Sequence, residues 1–125
     1  MAVPSSLGQF EQFVLTAVLS LDDNAYGVTI HEAVSELSAP KSVVLGAVYA
    51  TLDRLEDKGF VTSRLSDPTP ERGGRSKRHY RLTPTGERTL RESVLAAKRM
   101  CDRVEGVWGD QVWNPGRRWK PARQH

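Results

Sequence analysis

A chain of 125 residues suffices for one domain with a single core, and its 38% hydrophobic and 26% charged content is ordinary for a globular protein. No stretch stays apolar long enough to cross a membrane, the first residues lack the basic start of a secretory signal, and the lone Cys101 excludes an intrachain disulfide, which together fit a cytoplasmic protein. The net charge of +3 hides a division: residues 1–71 hold four Lys/Arg against ten Asp/Glu, residues 72–125 fourteen against five, so one part suits a polyanion while the rest stays acidic.

Ser6 and Gln9 have capping-box spacing, ahead of a helix expected over Leu7 to Leu21. Phe13, Val14, Leu15, Ala17, Val18, Leu19 and Leu21 run nearly all round that helix, so it needs cover on more than one side, part of it from a second subunit. Phe10, Val14 and Ala17 are the positions expected to supply that contact. Asp22, Asp23 and Asn24 form a turn cluster. A second helix is predicted from Tyr26 to Leu37, with Ile30, Ala33, Val34 and Leu37 inward and His31, Glu32, Ser35 and Glu36 outward. Pro40 stops it, since the residue before a proline is pushed out of helical geometry. Ser42 to Val44 is expected to be a very short strand.

The third helix is predicted over Leu45 to Lys58. Leu45, Val48, Leu52 and Leu55 make its core stripe, and Gly46, Ala47, Ala50, Thr51 and Arg54 lie on other sides. Gly59 suits the left-handed position that ends helices, and Lys58 the negative helix end. Phe60 to Leu65 and Arg78 to Leu82 alternate as strands around a long turn, with Tyr80 and Leu82 on one face and His79 and Arg81 on the other. Thr83 and Pro84 read as N-cap and first helical residue of a long helix reaching about Trp108. Within it Leu90, Val94, Ala97, Cys101, Val104 and Trp108 alternate steps of four and three, a seam for a partner helix at a shallow angle. The division expected is a helix-turn-helix unit over 1–83, a dimerisation helix over 84–108 and a tail over 109–125 that is mobile or loosely docked.

Helix, helix, short strand, helix, strand, basic turn, strand, long helix is the order of a winged helix-turn-helix: mainly α, with a small β-hairpin wing and a long C-terminal dimerisation helix. In that arrangement the third helix enters the DNA major groove. Gly46, Ala47, Ala50 and Thr51 permit close approach, and Arg54 reaches a phosphate or a guanine edge. Tyr49 has two compatible readings, contact with DNA or packing at the rim of the core. Arg72, Arg75, Lys77, Arg78 and Arg81 crowd ten residues that contain no carboxylate, and Gly73 and Gly74 let the backbone approach a phosphate or a minor groove. Double-stranded DNA is the partner expected.

Three stretches carry a family resemblance: AYG at Ala25–Gly27, LGAVYATLDRLEDKGFV at Leu45–Val61 and PERGGRSKRHYRLTPTG at Pro70–Gly86. Together they resemble the PadR family of bacterial transcriptional regulators, over about Leu7 to Leu95. The resemblance implies a homodimeric repressor on operator DNA, with Leu45–Lys58 as recognition helix, Ser66–Lys77 as wing and the C-terminal helix forming much of the dimer interface. It also implies a short branch of the family, with one C-terminal helix. Some relatives hold flat aromatic effectors between tryptophans at the dimer interface, which makes Trp108 a candidate ligand contact beside its plainer role in packing.

Other chemistries find little support. Cys101 falls on the seam and is expected buried as a small hydrophobe rather than exposed to oxidants. His31, His79 and His125 share no ligand spacing, so no metal or cofactor is expected. No nucleophile elbow, phosphate loop or metalloprotease motif occurs, which argues against an enzyme. Two rival readings remain: a winged helix that binds an acidic protein partner, and an effector-responsive sensor.

Overall fold

The computed structural model describes residues 7–66 and 77–113. In chain order it comprises α1 (Gln9–Leu21), a 3-10 turn (Asp22–Asn24), α2 (Gly27–Ser38), α3 (Leu45–Asp57), β1 (Val61–Leu65), β2 (Arg78–Leu82), α4 (Pro84–Trp108) and a second 3-10 turn (Gly109–Trp113). The mainly helical class with one antiparallel hairpin matches the winged helix-turn-helix expected. Two compact units divide between Arg91 and Glu92.

In the first unit, α1 begins two residues later than its apolar pattern suggests. Gly8 is its N-cap, and Glu11 Oε1 accepts the Gly8 N–H at 3.0 Å. Ser6, expected as the cap, lies outside the described residues. Val14, Leu15, Ala17 and Val18 of α1 pack with Ile30 and Val34 of α2 and with Val48, Leu52 and Leu55 of α3. Phe60, Val61, Tyr80, Leu82 and Leu90 complete this core. That packing corrects three expectations. The apolar pattern assigns Val14, Ala17 and Leu90 to a subunit interface, but they are buried within this chain and have no surface left to offer. The other elements of this chain cover those α1 positions, while Leu19 stays exposed and Phe10, Phe13 and Leu21 are partly buried.

Two further corrections concern the segment before α3. Leu37 is exposed rather than inward. Ser42–Val44 is not a strand, and its Val43 carbonyl accepts a side-chain bond: His31 Nε2 donates to it at 2.6 Å, so that nitrogen carries the ring proton. The extra strand-like contact comes instead from Ala25 and Tyr26. Tyr80 N–H donates to Ala25 O at 2.8 Å, and Tyr26 forms an isolated bridge with His79.

Helix ends follow local chemistry closely. After α3, Gly59 takes φ 82°, its N–H donates to Glu56 O at 3.0 Å, and Phe60 N–H donates to Leu55 O at 2.9 Å. That is the Schellman pattern, and the left-handed residue in it is a glycine because a Cβ there would strike the following carbonyl. β1 pairs antiparallel with β2 from Val61 opposite Leu82 to Leu65 opposite Arg78. Thr83 then caps α4: its Oγ1 accepts Gly86 N–H at 2.9 Å and donates to Gly59 O at 2.7 Å. Gly86 has a second constraint, since a Cβ there would lie 2.0 Å from Phe60 O.

In the second unit, Ala97, Cys101, Val104 and Trp108 are half-buried along α4, while Val94 is 54% and Val107 67% exposed. Cys101, expected buried on the seam, is half-buried within this chain. Gly109, at φ 63°, ends the helix, and the 3-10 turn that follows brings Trp113 Nε1 to donate to the Glu105 carboxylate. Residues 109–113 thus carry a side-chain bond back to α4; residues 114–125 lie outside the described residues.

Candidate nucleic-acid interface

The outward face of α3 is what its buried stripe leaves over. Val48, Thr51, Leu52 and Leu55 are buried. Gly46, Tyr49, Ala50, Asp53, Arg54 and Asp57 are exposed. Two positions depart from expectation. Leu45 is 37% exposed, at the edge of the stripe rather than within it. Thr51, expected on the outward face, is only 2% exposed. The signal lies in the spacing: Thr51 follows Val48 by three residues and precedes Leu55 by four, so helical geometry puts it on the stripe. Its polarity masks that. Buried there, Thr51 Oγ1 accepts a hydrogen bond from Arg54 Nη2 at 3.0 Å and orients the guanidinium from below.

The N-terminal half of the outward face is small and uncharged. Gly46 has open space around it, and Ala50 is exposed one turn on. Acidic residues, Asp53 and Asp57, gather toward the C-terminal half, where a polyanion is repelled. Tyr49 combines both of its readings. It is exposed along one side, and its ring lies on the start of α2, where a Cβ on Gly27 would come within 2.0 Å of Tyr49 Oη. This explains the Ala-Tyr-Gly stretch. Ala25 is buried and its carbonyl joins the hairpin, Tyr26 bridges to β2, and Gly27 leaves a seat for Tyr49.

The hairpin closes at Ser66 and Lys77. Ser66 N–H donates to Lys77 O at 2.8 Å, and Lys77 N–H donates to Ser66 Oγ at 3.0 Å. Arg72, Gly73, Gly74 and Arg75 lie outside the described residues. Of the cations at the base, Arg78 donates to Ser63 Oγ at 3.0 Å, and Ser63 donates in turn to Glu56 Oε2 at 2.8 Å. Arg78 is exposed but shares the hairpin face of Tyr80 and Leu82, toward α3. Lys77 Nζ stands 4.2 Å over the Tyr26 ring centroid, and Arg81 lies 3.7 Å from Asp23. Tyr26, which sequence reasoning missed, is thus in contact with a predicted wing residue. Its only sequence signal is its place in the Ala-Tyr-Gly stretch.

Behind the outward face, Lys58 Nζ meets Glu11 Oε2 at 2.9 Å and joins the end of α3 to the start of α1. Burial pushes the Glu11 carboxyl up, but hydrogen bonds from Lys58 and Gly8 outweigh it and hold the group below its ordinary value.

A family model described as the transcriptional regulator PadR-like family matches residues 15–92. No curated protein matches the chain. Among solved structures, a PadR family transcription regulator from Clostridium difficile R20291 is similar at 27% identity and TM-score 0.61, covering 79% of this chain and 96% of that one. A PadR-like transcription factor from Bacteroides fragilis has 26% identity and TM-score 0.57, over 77% and 87% of the two chains. Bacillus subtilis PadR in complex with operator DNA shares the fold at 24% identity and TM-score 0.55, over 69% of this chain and 46% of that one.

Proposed function

On the premise that this chain belongs to the PadR-like family of transcriptional regulators, as the match over residues 15–92 establishes, we propose that it is a homodimeric repressor that binds a pseudo-palindromic operator in double-stranded DNA. Members of this family regulate transcription and are not enzymes. The observation that carries the DNA-binding reading is the division of α3. One stripe is buried, and Gly46, Ala47, Tyr49, Ala50 and Arg54 are left beside a hairpin with cations at its base. A helix with small residues at its N-terminal end can approach base edges, while the hairpin holds the phosphates. In support, B. subtilis PadR, which shares the fold, was crystallised with operator DNA. We assign base-edge or nearby backbone contact to Gly46, Ala47, Tyr49, Ala50 and Arg54. Phosphate contact falls to Arg72, Arg75, Lys77 and Arg78, with Gly73 and Gly74 allowing close approach. Thr51 acts through Arg54.

Dimerisation is assigned to α4, where Val94, Ala97, Cys101, Val104 and Trp108 share one side of the helix. On α1, Phe10, unlike Val14 and Ala17, keeps surface for such a contact. With Phe13, Val43, Val44 and Ala47 it lines an open apolar groove of about 270 Å³. An aromatic effector between two Trp108 side chains is a dependent reading, favoured by the place of Trp108 on that side of α4. Quenching of tryptophan fluorescence by planar aromatic compounds, lost on Trp108→Ala, is its test. The chain is proposed to act in the cytoplasm, on the nucleoid; no helix among the described residues is long and apolar enough to cross a membrane.

Duplexes selected from a random pool by the purified protein should share a two-fold symmetric sequence. Their affinity should fall with salt at a log–log slope of about −0.9 for each phosphate neutralised. Arg75→Ala with Lys77→Ala leaves two phosphates per wing without a cation and should flatten that slope by about 2 for each wing engaged. Selection of no consensus would remove the DNA-binding reading in favour of an acidic protein partner. An unchanged slope would remove the wing alone.

A further inference from the structure

Lys77, His79 and Arg81 lie at alternate positions along the outer side of β2 and its foot. Each is held by the turn between α1 and α2. The Lys77 ammonium stands 4.2 Å over the Tyr26 ring. The His79 ring meets the same ring edge-on, with centroids 5.5 Å apart, and its Nδ1 donates to Asp23 O at 3.1 Å. Arg81 Nη2 lies 3.7 Å from Asp23 Oδ1. Beneath these side chains, the backbone bridge between Tyr26 and His79 and the bond from Tyr80 N–H to Ala25 O attach the hairpin to the same turn.

Little of this serves the core, since Lys77 and Arg81 are both exposed. Its physical effect falls on the wing. A lysine free in solvent samples many rotamers and loses that freedom when it meets a phosphate. The face of an aromatic ring attracts an ammonium group through its quadrupole and leaves the charge uncancelled. A carboxylate in the same place would hold the lysine but neutralise it. Tyr26 therefore confines Lys77 while keeping its full charge and its outward N–H groups available to a phosphate.

We propose that Tyr26 is the positioning residue of the wing: its ring holds the Lys77 ammonium and the His79 imidazole in place before DNA arrives, presetting the hairpin against α2 and reducing the entropy lost on phosphate contact. This rests on the DNA-binding reading above and assigns to the turn a role in affinity.

The test is a double-mutant cycle on the selected duplex, using the full chain with Tyr26→Leu, Lys77→Met and both together, beside Tyr26→Phe. Tyr26→Leu should weaken binding about two- to fivefold per wing, the size of an exposed cation–ring contact. Tyr26→Phe, which keeps the ring, should bind like the wild type. The double variant should bind no more weakly than Lys77→Met alone. Losses that multiply, or a phenylalanine variant as weak as the leucine one, would overturn the proposal and leave Tyr26 a purely structural residue. A second measurement does not depend on how the variants fold. In the free wild-type protein, NMR should find the Lys77 ε-methylene protons shifted upfield by the Tyr26 ring current; an ordinary position overturns the contact. Wild-type protein that selects no DNA defeats the proposed function and this role together, whereas wild-type binding with multiplicative losses defeats this role alone.

Discussion

Arg54 shows how one side chain becomes useful through another. Its guanidinium has a long, mobile stem, and on an exposed helix face it would wander. Thr51 Oγ1, buried in the core stripe, gives it a fixed acceptor at 3.0 Å. Thr51→Val keeps the buried shape and removes the hydroxyl that accepts from Arg54. Stability should change by no more than about 1 kcal/mol in chemical denaturation. Affinity for the selected duplex should fall toward that of Arg54→Ala. A valine variant that binds like the wild type, while Arg54→Ala does not, would separate the two residues. At this scale the sequence is partly legible. Gly46, Ala50 and Arg54 can be read outward because apolar neighbours define the stripe. Thr51 is misplaced when its hydroxyl is weighed above its spacing. Tyr26 escapes notice because its contact with Lys77, far along the chain, leaves no periodic trace.

At the scale of elements, the ends are more legible than the middles. Gly59 after α3, and Thr83 and Pro84 before α4, are local signals, and each does in the structure what its chemistry suggests. Gly59→Ala puts a Cβ into the left-handed region and should cost about 1–2 kcal/mol, read as a lower midpoint in urea with an unchanged slope. Thr83→Ala should cost a similar amount through the lost cap, about 0.5–2 kcal/mol. The Ser42–Val44 segment carries no such local signal, and its bond from His31 to Val43 O depends on tertiary placement. The join between α1 and α3 is equally hidden, and pH exposes it. Glu11 has a folded-state pKa below its unfolded one, so its link to Lys58 contributes fully at neutral pH and is lost as the pH falls through the lowered value. Glu11→Gln keeps an acceptor for Gly8 N–H and removes the charge. Its stability should lie below the wild type at neutral pH and converge with it in acid. Two parallel stability curves would show that the ion pair contributes nothing.

At the scale of the whole molecule, the proposed dimer turns on α4. The seam read from the sequence runs through Leu90, Val94, Ala97, Cys101, Val104 and Trp108. Leu90 belongs to the core of the first unit, so the part of the seam available to a partner begins at Val94. Met100 and Val107 are also exposed, and both fall on the flank of that seam, seven residues apart. They widen a two-position seam into a broader apolar stripe, suited to a close helical partner. Leu95 is exposed too, but at about 3.6 residues per turn it points away from the stripe. The pair makes a discriminating test. Val107→Glu would bury a charge in a dimer built on this stripe, and sedimentation at micromolar concentration should find a monomer. Leu95→Glu should remain dimeric. The monomeric variant should also lose far more affinity for a two-fold symmetric duplex than for a half-site, because two linked recognition helices, about 34 Å apart, gain from effective concentration what each alone lacks. If Val107→Glu stays dimeric and Leu95→Glu does not, the interface lies on the other side of α4. The spacing of the two α3 helices would then have to be derived again from that face.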